Sequence, residues 1–281
     1  MGEFPQFVRL PLARWVDQGV EWLTREYGPL FDWMGQVLLV PLVQLERLLL
    51  WLPWWAVILA VALVAWKVSG WKLAAGTAAG LIFIGTLGLW EHAMKTLTLV
   101  IAGTALAVVV AIPTGIAMAR SDLLERVIRP VLDLMQTMPS FVYLVPAAML
   151  FPLGKVPAVM ATFIYAVPPA IRLTNLGIRQ VPADVVEAAR AFGSTPGQLL
   201  VKVQLPLALP TIMAGINQTV MMALAMVVVA SMIGAGGLGT EVLNGIARLE
   251  AGRGFVGGLS IVILAIIIDR ISQGLIKAHP Q

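Results

Sequence analysis

The chain contains no cysteine. Disulfides, thiolate metal sites and a cysteine nucleophile are therefore excluded. Charge is also scarce: 12% of the residues are Asp, Glu, Lys or Arg, where a soluble globular domain carries about 25%. Histidine is limited to His92 and His279, both at the ends of apolar runs, which argues against a His-based catalytic centre inside a membrane. No G-x-x-x-x-G-K-[ST] run occurs, so no P-loop is present to hold ATP. The long apolar runs also lack interior carboxylates. Ion- and proton-coupled carriers usually need such groups there.

What remains is apolar. Hydrophobic residues make up 59% of the 281, and the mean hydropathy is +0.89. Such a chain cannot cover its surface with polar groups, so its solvent is largely lipid. The net charge of +4 sits in short loops between apolar runs and forms no basic stripe, a pattern of membrane topology and not of nucleic-acid binding. The first long apolar run begins near Leu48, too late for a signal peptide, and the opening MGEFPQF has no basic n-region.

Segments free of charge mark seven expected spans: 48–66, 73–90, 96–119, 134–154, 156–171, a helix within 205–240 from about Leu207 to Ile233, and 254–268. Crossing a bilayer takes about 20 apolar residues, so the shorter runs borrow flanking positions. Placing the long loop 172–206 in the cytoplasm puts Lys67, Lys72, Arg120, Arg126, Arg129, Arg172, Arg179, Arg190, Lys202, Arg270 and Lys277 inside. Lys95, Lys155, Arg248 and Arg253 fall outside, in keeping with the positive-inside rule. The expected class is an all-α, polytopic transmembrane bundle in the cell inner membrane. It divides into an N-terminal segment 1–47, two additional helices in 48–91, and a core in 92–278.

In the first segment Trp15, Val20, Trp22, Leu23, Phe31, Trp33 and Leu38 alternate with Arg14, Asp17, Glu21, Arg25, Glu26 and Asp32. Such an amphipathic helix lies in the membrane interface; the alternative is a helix packed on its own protein. Gly76–Gly80 and Gly254–Gly258 are GxxxG pairs that allow close helix approach. Gly234, Gly236 and Gly239 match G-x-G-x-x-G but follow an apolar helix with no βαβ unit, so they predict an extracellular turn.

The segment 182–206 reads PADVVEAARAFGSTPGQLLVKVQLP. Pro182 and Asp184 suit a helix start, the Glu187–Ala191 run favours helix, and Gly193 is placed to end it. Thr195, Pro196 and Gln198 predict a second capped start. Val185, Ala189 and Phe192 share one apolar face. The pattern predicts a stiff, exposed helical hairpin between two spans.

Glu187-Ala188-Ala189, then Gly193, then Val203 and Leu205-Pro206, resembles the EAA loop of ABC importer permeases, with Val203 where that family has Ile. Across residues 92–278 the chain looks like the ProU-type glycine betaine/proline permeases, through QTMPSFVYLVPAAMLFPLGKVPAVMATFIYAVPPAIRLTNLGIRQVP, QLPLALPTIMAGINQT and GIARLEAGRGFVGGLSIVILAIIIDR. The resemblance implies a type I ABC importer permease core and no catalysis in this chain. Glu187, Ala188, Ala189, Gly193, Leu205 and Pro206 would couple to a separate ATPase subunit that uses ATP and Mg. It also implies a soluble or periplasmic substrate-binding protein, a second permease copy, and cargo of the betaine, choline, carnitine or proline class. No cofactor is expected on this chain.

Thr137, Ser140, Phe141, Tyr143 and Asn217 are the polar or aromatic groups in the spans that would line a solute path. Phe141 and Tyr143 offer π faces to a quaternary ammonium. The same groups equally suit helix–helix contacts, and Met135, Met138 and Met149 suit packing. Rival readings are a permease for another amino acid or amine, a stand-alone carrier or channel, and an intramembrane enzyme.

Overall fold

The computed structural model describes residues 11–277; the first ten residues of the N-terminal segment, and His279, lie outside the described residues. The described chain is helical: α1 (Leu12–Trp51), α2 (Trp54–Ser69), α3 (Trp71–Thr86), α4 (Trp90–Arg120), α5 (Asp122–Thr137), α6 (Leu144–Leu150), α7 (Lys155–Arg179), α8 (Ala183–Ala191), α9 (Pro196–Leu199), α10 (Leu205–Ala230), α11 (Leu238–Ala247) and α12 (Ala251–Lys277). Five helical stretches are long and apolar enough to cross a membrane: α1, α4, α7, the rod from Pro196 to Ile233, and α12. The helices α2 and α3 are shorter, as is the 140–150 segment.

Two expected spans are not continuous. The run 48–66 is cut at Leu52-Pro53, so the boundary expected at 47/48 falls inside α1. Leu52 is extended (ψ 137°) because the residue before a proline is pushed out of the helical region. The run 134–154 is cut at Met138-Pro139 in the same way (ψ 137°). A 3₁₀ turn over Ser140–Tyr143 and the seven-residue α6 follow it. Hydropathy marked the apolar stretch correctly but could not register that Pro139 ends one helix and starts another.

The centre is α7, flanked by α4 and α10. These contacts rest on glycine. A Cβ on Gly103 would come within 2.6 Å of Thr162, and one on Gly115 within 2.5 Å of Thr174. On the other side, Gly215 sits against Leu173 and Gly177 against Thr211. Small residues let backbones approach closely where lipid supplies no hydrophobic drive between helices. Ala93, Met94, Leu99, Ala158, Ala161, Ala223 and Met226 fill the shared core. One glycine from each expected GxxxG pair makes a close contact: Gly80 with Ile263, and Gly254 with Gly245, whereas Gly76 and Gly258 meet open space.

The ends of the bundle are sorted by charge. Arg120, ending α4, donates to the Pro196 carbonyl at 3.2 Å. Arg179, ending α7, donates to the Met118 carbonyl at 2.8 Å. Gly274 packs on Val68 and Ser69. The loops expected inside therefore gather at one end. At the opposite end Lys155 pairs with the buried Glu46 at 2.7 Å. Gly237 presses on Thr96, whose hydroxyl accepts from the Leu238 N–H at 2.8 Å. Contacts of α1 fall at this second end: Phe31 lies edge-on to Phe151 at 5.8 Å, and Gly35 is beside Phe151 and Val156. Trp15, Trp22 and Trp33 remain exposed along it.

Candidate coupling site

The hairpin forms as its residues dictate. Pro182 is extended and α8 follows, with Asp184 in its first turn. Behind α8, Gly193 adopts φ +81°, a conformation that favours glycine. There the Gly193 N–H bonds to the Arg190 carbonyl at 2.9 Å, and Ser194 N–H to the Ala189 carbonyl at 3.1 Å. This pair of bonds is a Schellman termination. Thr195 then closes a capping box: its N–H donates to Gln198 Oε1 at 2.9 Å, and its hydroxyl accepts from the Gln198 N–H at 3.4 Å.

The second arm is not a separate helix. It continues through α9 and a π turn at Leu200–Gln204 directly into α10. Within that turn the Leu205 N–H reaches the Leu200 carbonyl, five residues back. Pro206 explains the widening, since it lacks an N–H and its ring would crowd the carbonyl four positions earlier. The second arm of the hairpin is thus an extension of a helix long and apolar enough to cross a membrane.

Nothing in α8 is buried. Glu187 and Ala188 are exposed, Ala189 is half-buried, and Phe192 is 92% exposed. Leu205 is half-buried and Pro206 exposed. Glu187 makes no ion pair among the described residues. An exposed apolar side chain beside a carboxylate and small alanines, on a stiff support, suits a protein partner.

The path residues are dispersed. Thr137 is exposed and its hydroxyl bonds back to the Leu134 carbonyl at 2.9 Å. Ser140 is half-buried and Phe141 is 59% exposed. Tyr143 is buried, edge-on to Tyr165, with its hydroxyl donated to the Met135 carbonyl. Asn217 faces α12, donating to Asp269 Oδ1 at 3.3 Å and accepting from Ser272. Asp269 lies one residue past the expected last span, near the end of α12. The helix continues past the apolar run and includes it, and amides of Asn217 and Gln273 donate to its oxygens.

Sequence reading missed the ionic seams. Arg179 pairs with Asp122 and Glu125, and Arg172 with Asp133. At the far end Arg253 binds both Glu241 oxygens at 2.7 and 3.1 Å, with His92 3.4 Å from the same carboxylate. Hydrogen bonds from Arg253 hold the Glu241 carboxyl below the usual range; burial opposes this, and the charges of Arg253, His92 and Arg248 add to it. The seven-residue spacing of Arg172 and Arg179 on α7 was the one available signal. The expected turn is present, with Gly234, Gly236 and Gly237 at positive φ, whereas Gly239 lies in the first turn of α11.

Residues 103–278 match the family model described as "Binding-protein-dependent transport system inner membrane component". The chain is 52% identical over 266 residues to the glycine betaine/proline betaine transport system permease protein ProW of Escherichia coli (strain K12), covering 95% of this chain and 75% of that one. It is 47% identical over 289 residues to the glycine betaine/carnitine transport permease protein GbuB of Listeria monocytogenes, covering 97% and 98%. Among solved structures, an inward-facing MetNI methionine ABC transporter chain aligns with a TM-score of 0.61 at 22% identity, over 66% of this chain and 94% of that one, which supports the fold. The chain belongs to the inner-membrane components of binding-protein-dependent transport systems, as a multi-pass helical permease.

Proposed function

We propose that this permease imports small quaternary amines of the glycine betaine, carnitine and choline class, driven by ATP hydrolysis with Mg in a separate subunit docked on the 182–206 hairpin. The observation that carries the coupling is the exposed α8, ended by the turn at Gly193 and joined through a capped second arm to α10. Glu187, Ala188, Ala189 and Gly193 form its contact face and turn, and Leu205 and Pro206 set the junction with the membrane rod. The named cargo of ProW and GbuB supports the substrate class.

A soluble substrate-binding protein delivers the cargo to the opposite end, and a second copy of this chain completes the pathway. The apolar side of α5, with Leu123, Val127, Val131 and Leu134 all exposed, is the face left for that pathway. Of the path residues, Phe141 offers a free ring to a trimethylammonium group, while Tyr143 and Asn217 serve packing. Although α1 is long enough to cross, its contacts at Phe31, Gly35 and Glu46 hold it at the end opposite the hairpin, with its exposed tryptophans in the headgroup region of the outer interface.

The test is reconstitution of the permease with its ATPase and binding protein in proteoliposomes. Labelled glycine betaine accumulates only with ATP inside the cytoplasmic compartment. Accumulation without the ATPase would contradict the proposal.

A further inference from the structure

Arg179 ends α7 three positions before Pro182, where the hairpin begins. Its guanidinium pairs with Asp122 at 2.8 Å and Glu125 at 3.1 Å, and donates to the Met118 carbonyl at 2.8 Å and Asn175 Oδ1 at 3.0 Å. Buried Asn175 in turn donates to Glu125 at 3.1 Å. Two helical turns back along α7, Arg172 pairs with Asp133. Both rungs join α7 to α5. Apolar support for α5 is a single stripe: Leu132 is its one buried residue, with Ile128 and Met135 partly buried against the same cluster. Its Leu123, Val127, Val131 and Leu134 point away, 52–66% exposed.

We propose that Arg179 and Arg172 are positioning residues that make α5 follow the coupling hairpin. This rests on the reading of 182–206 as the ATPase contact. Displacement of α8 reaches Arg179 through three residues of backbone. The forked guanidinium then holds Asp122, Glu125 and the end of α4 in one geometry, since planar bidentate donors fix orientation as well as distance. Arg172 repeats the tie higher on α5. Without the rungs α7 and the hairpin still move, but α5, with its outward apolar face, no longer tracks them.

The absence of native cysteine makes the test direct. Single cysteines at Val131→Cys on α5 and Gly197→Cys on the hairpin are labelled with maleimide in the transporter assembled with its ATPase, without nucleotide and with ATP plus orthovanadate. With native rungs both labelling rates respond to nucleotide. In Arg179→Ala and Arg172→Ala the Gly197→Cys response persists, the Val131→Cys response is lost, and solute moved per ATP hydrolysed falls about tenfold, within the range seen for coupling-network residues. Arg179→Lys, which keeps the charge, retains part of the coupling. The exchange Arg172→Asp with Asp133→Arg restores the response that Arg172→Asp alone abolishes. A Val131→Cys response that survives in both alanine variants, or an exchange that restores nothing, overturns the proposal. A Gly197→Cys rate blind to nucleotide in the native background instead overturns the hairpin reading, and this inference with it.

Discussion

Helix α7 meets its neighbours in two different ways. Against α4 and α10 it packs through glycines, threonines and alanines with backbones nearly touching. Against α5 it is joined by arginine–carboxylate pairs beside a single apolar stripe of Ile128, Leu132 and Met135. Close packing of small residues tolerates no displacement, because any shift opens voids or collides. Oriented charge pairs instead tie two helices at discrete points, fixing their relative geometry without close backbone packing. The difference separates a close-packed α4–α7–α10 block, built to move as one body, from α5, which is tied to that block by its arginine rungs.

The largest effect is expected from attacking the close-packed block. In Gly115→Val the new Cβ falls 2.5 Å from Thr174 and 2.8 Å from the Ile171 carbonyl. Overpacking of this kind costs about 1–3 kcal/mol or more, and here backbone atoms cannot yield. Thermal unfolding in detergent should show a large fall in Tm or loss of folded protein. An unchanged Tm would break the comparison.

Next in size is Gly193→Val. Holding a β-branched residue at φ +81° costs about 1–2 kcal/mol, but the cost is local to an exposed turn. ATP-driven uptake should drop severely while Tm and membrane insertion stay near those of the native protein; Gly193→Asn should retain more uptake. Smaller still, Thr195→Ala removes the capping box at a cost of about 1 kcal/mol. Faster amide exchange confined to residues 195–200, with little change in α4 or α7, is the expected signature.

The smallest effect concerns the seam at the end opposite the hairpin. The Glu241 carboxyl is held below its usual range by Arg253, so the fold favours its ionised form. That contribution is complete above the unfolded carboxylate pKa, about 4.3, and is lost as pH falls through the depressed folded value. Glu241→Gln should therefore lower Tm at pH 7, with the gap to the native protein narrowing as pH drops below about 4.3. A pH-independent gap would contradict the ionic account.

Legibility followed the range of the forces. The hairpin could be read from the sequence because Gly193, Thr195, Pro196 and Gln198 act on neighbours within a turn. Loop charges foretold which ends gather together, since Arg120, Arg179 and Lys202 all lie at the hairpin end. The break after Met138 was missed because proline is tolerated in many spans, and Pro113, Pro168 and Pro169 here do sit inside continuous helices. Only tertiary contacts decide which proline ends a helix. The Arg172–Asp133 rung joins residues 39 positions apart, and Glu46–Lys155 lies farther still, beyond any local pattern. Asp269 escaped notice because the charge-free run stopped one residue short of it. The path residues proved hardest, because a hydroxyl in a span serves a neighbouring carbonyl as readily as a solute, as Thr137 and Tyr143 do.

The most direct test of the central claim is crosslinking from the tip of α8. A photoreactive maleimide on Val185→Cys, in a chain with no other cysteine, should capture the ATPase subunit in membranes, with a yield that changes when ATP is added. Failure to capture any ATPase, or labelling of Val185→Cys by an impermeant reagent from the outer side of intact cells, would contradict it.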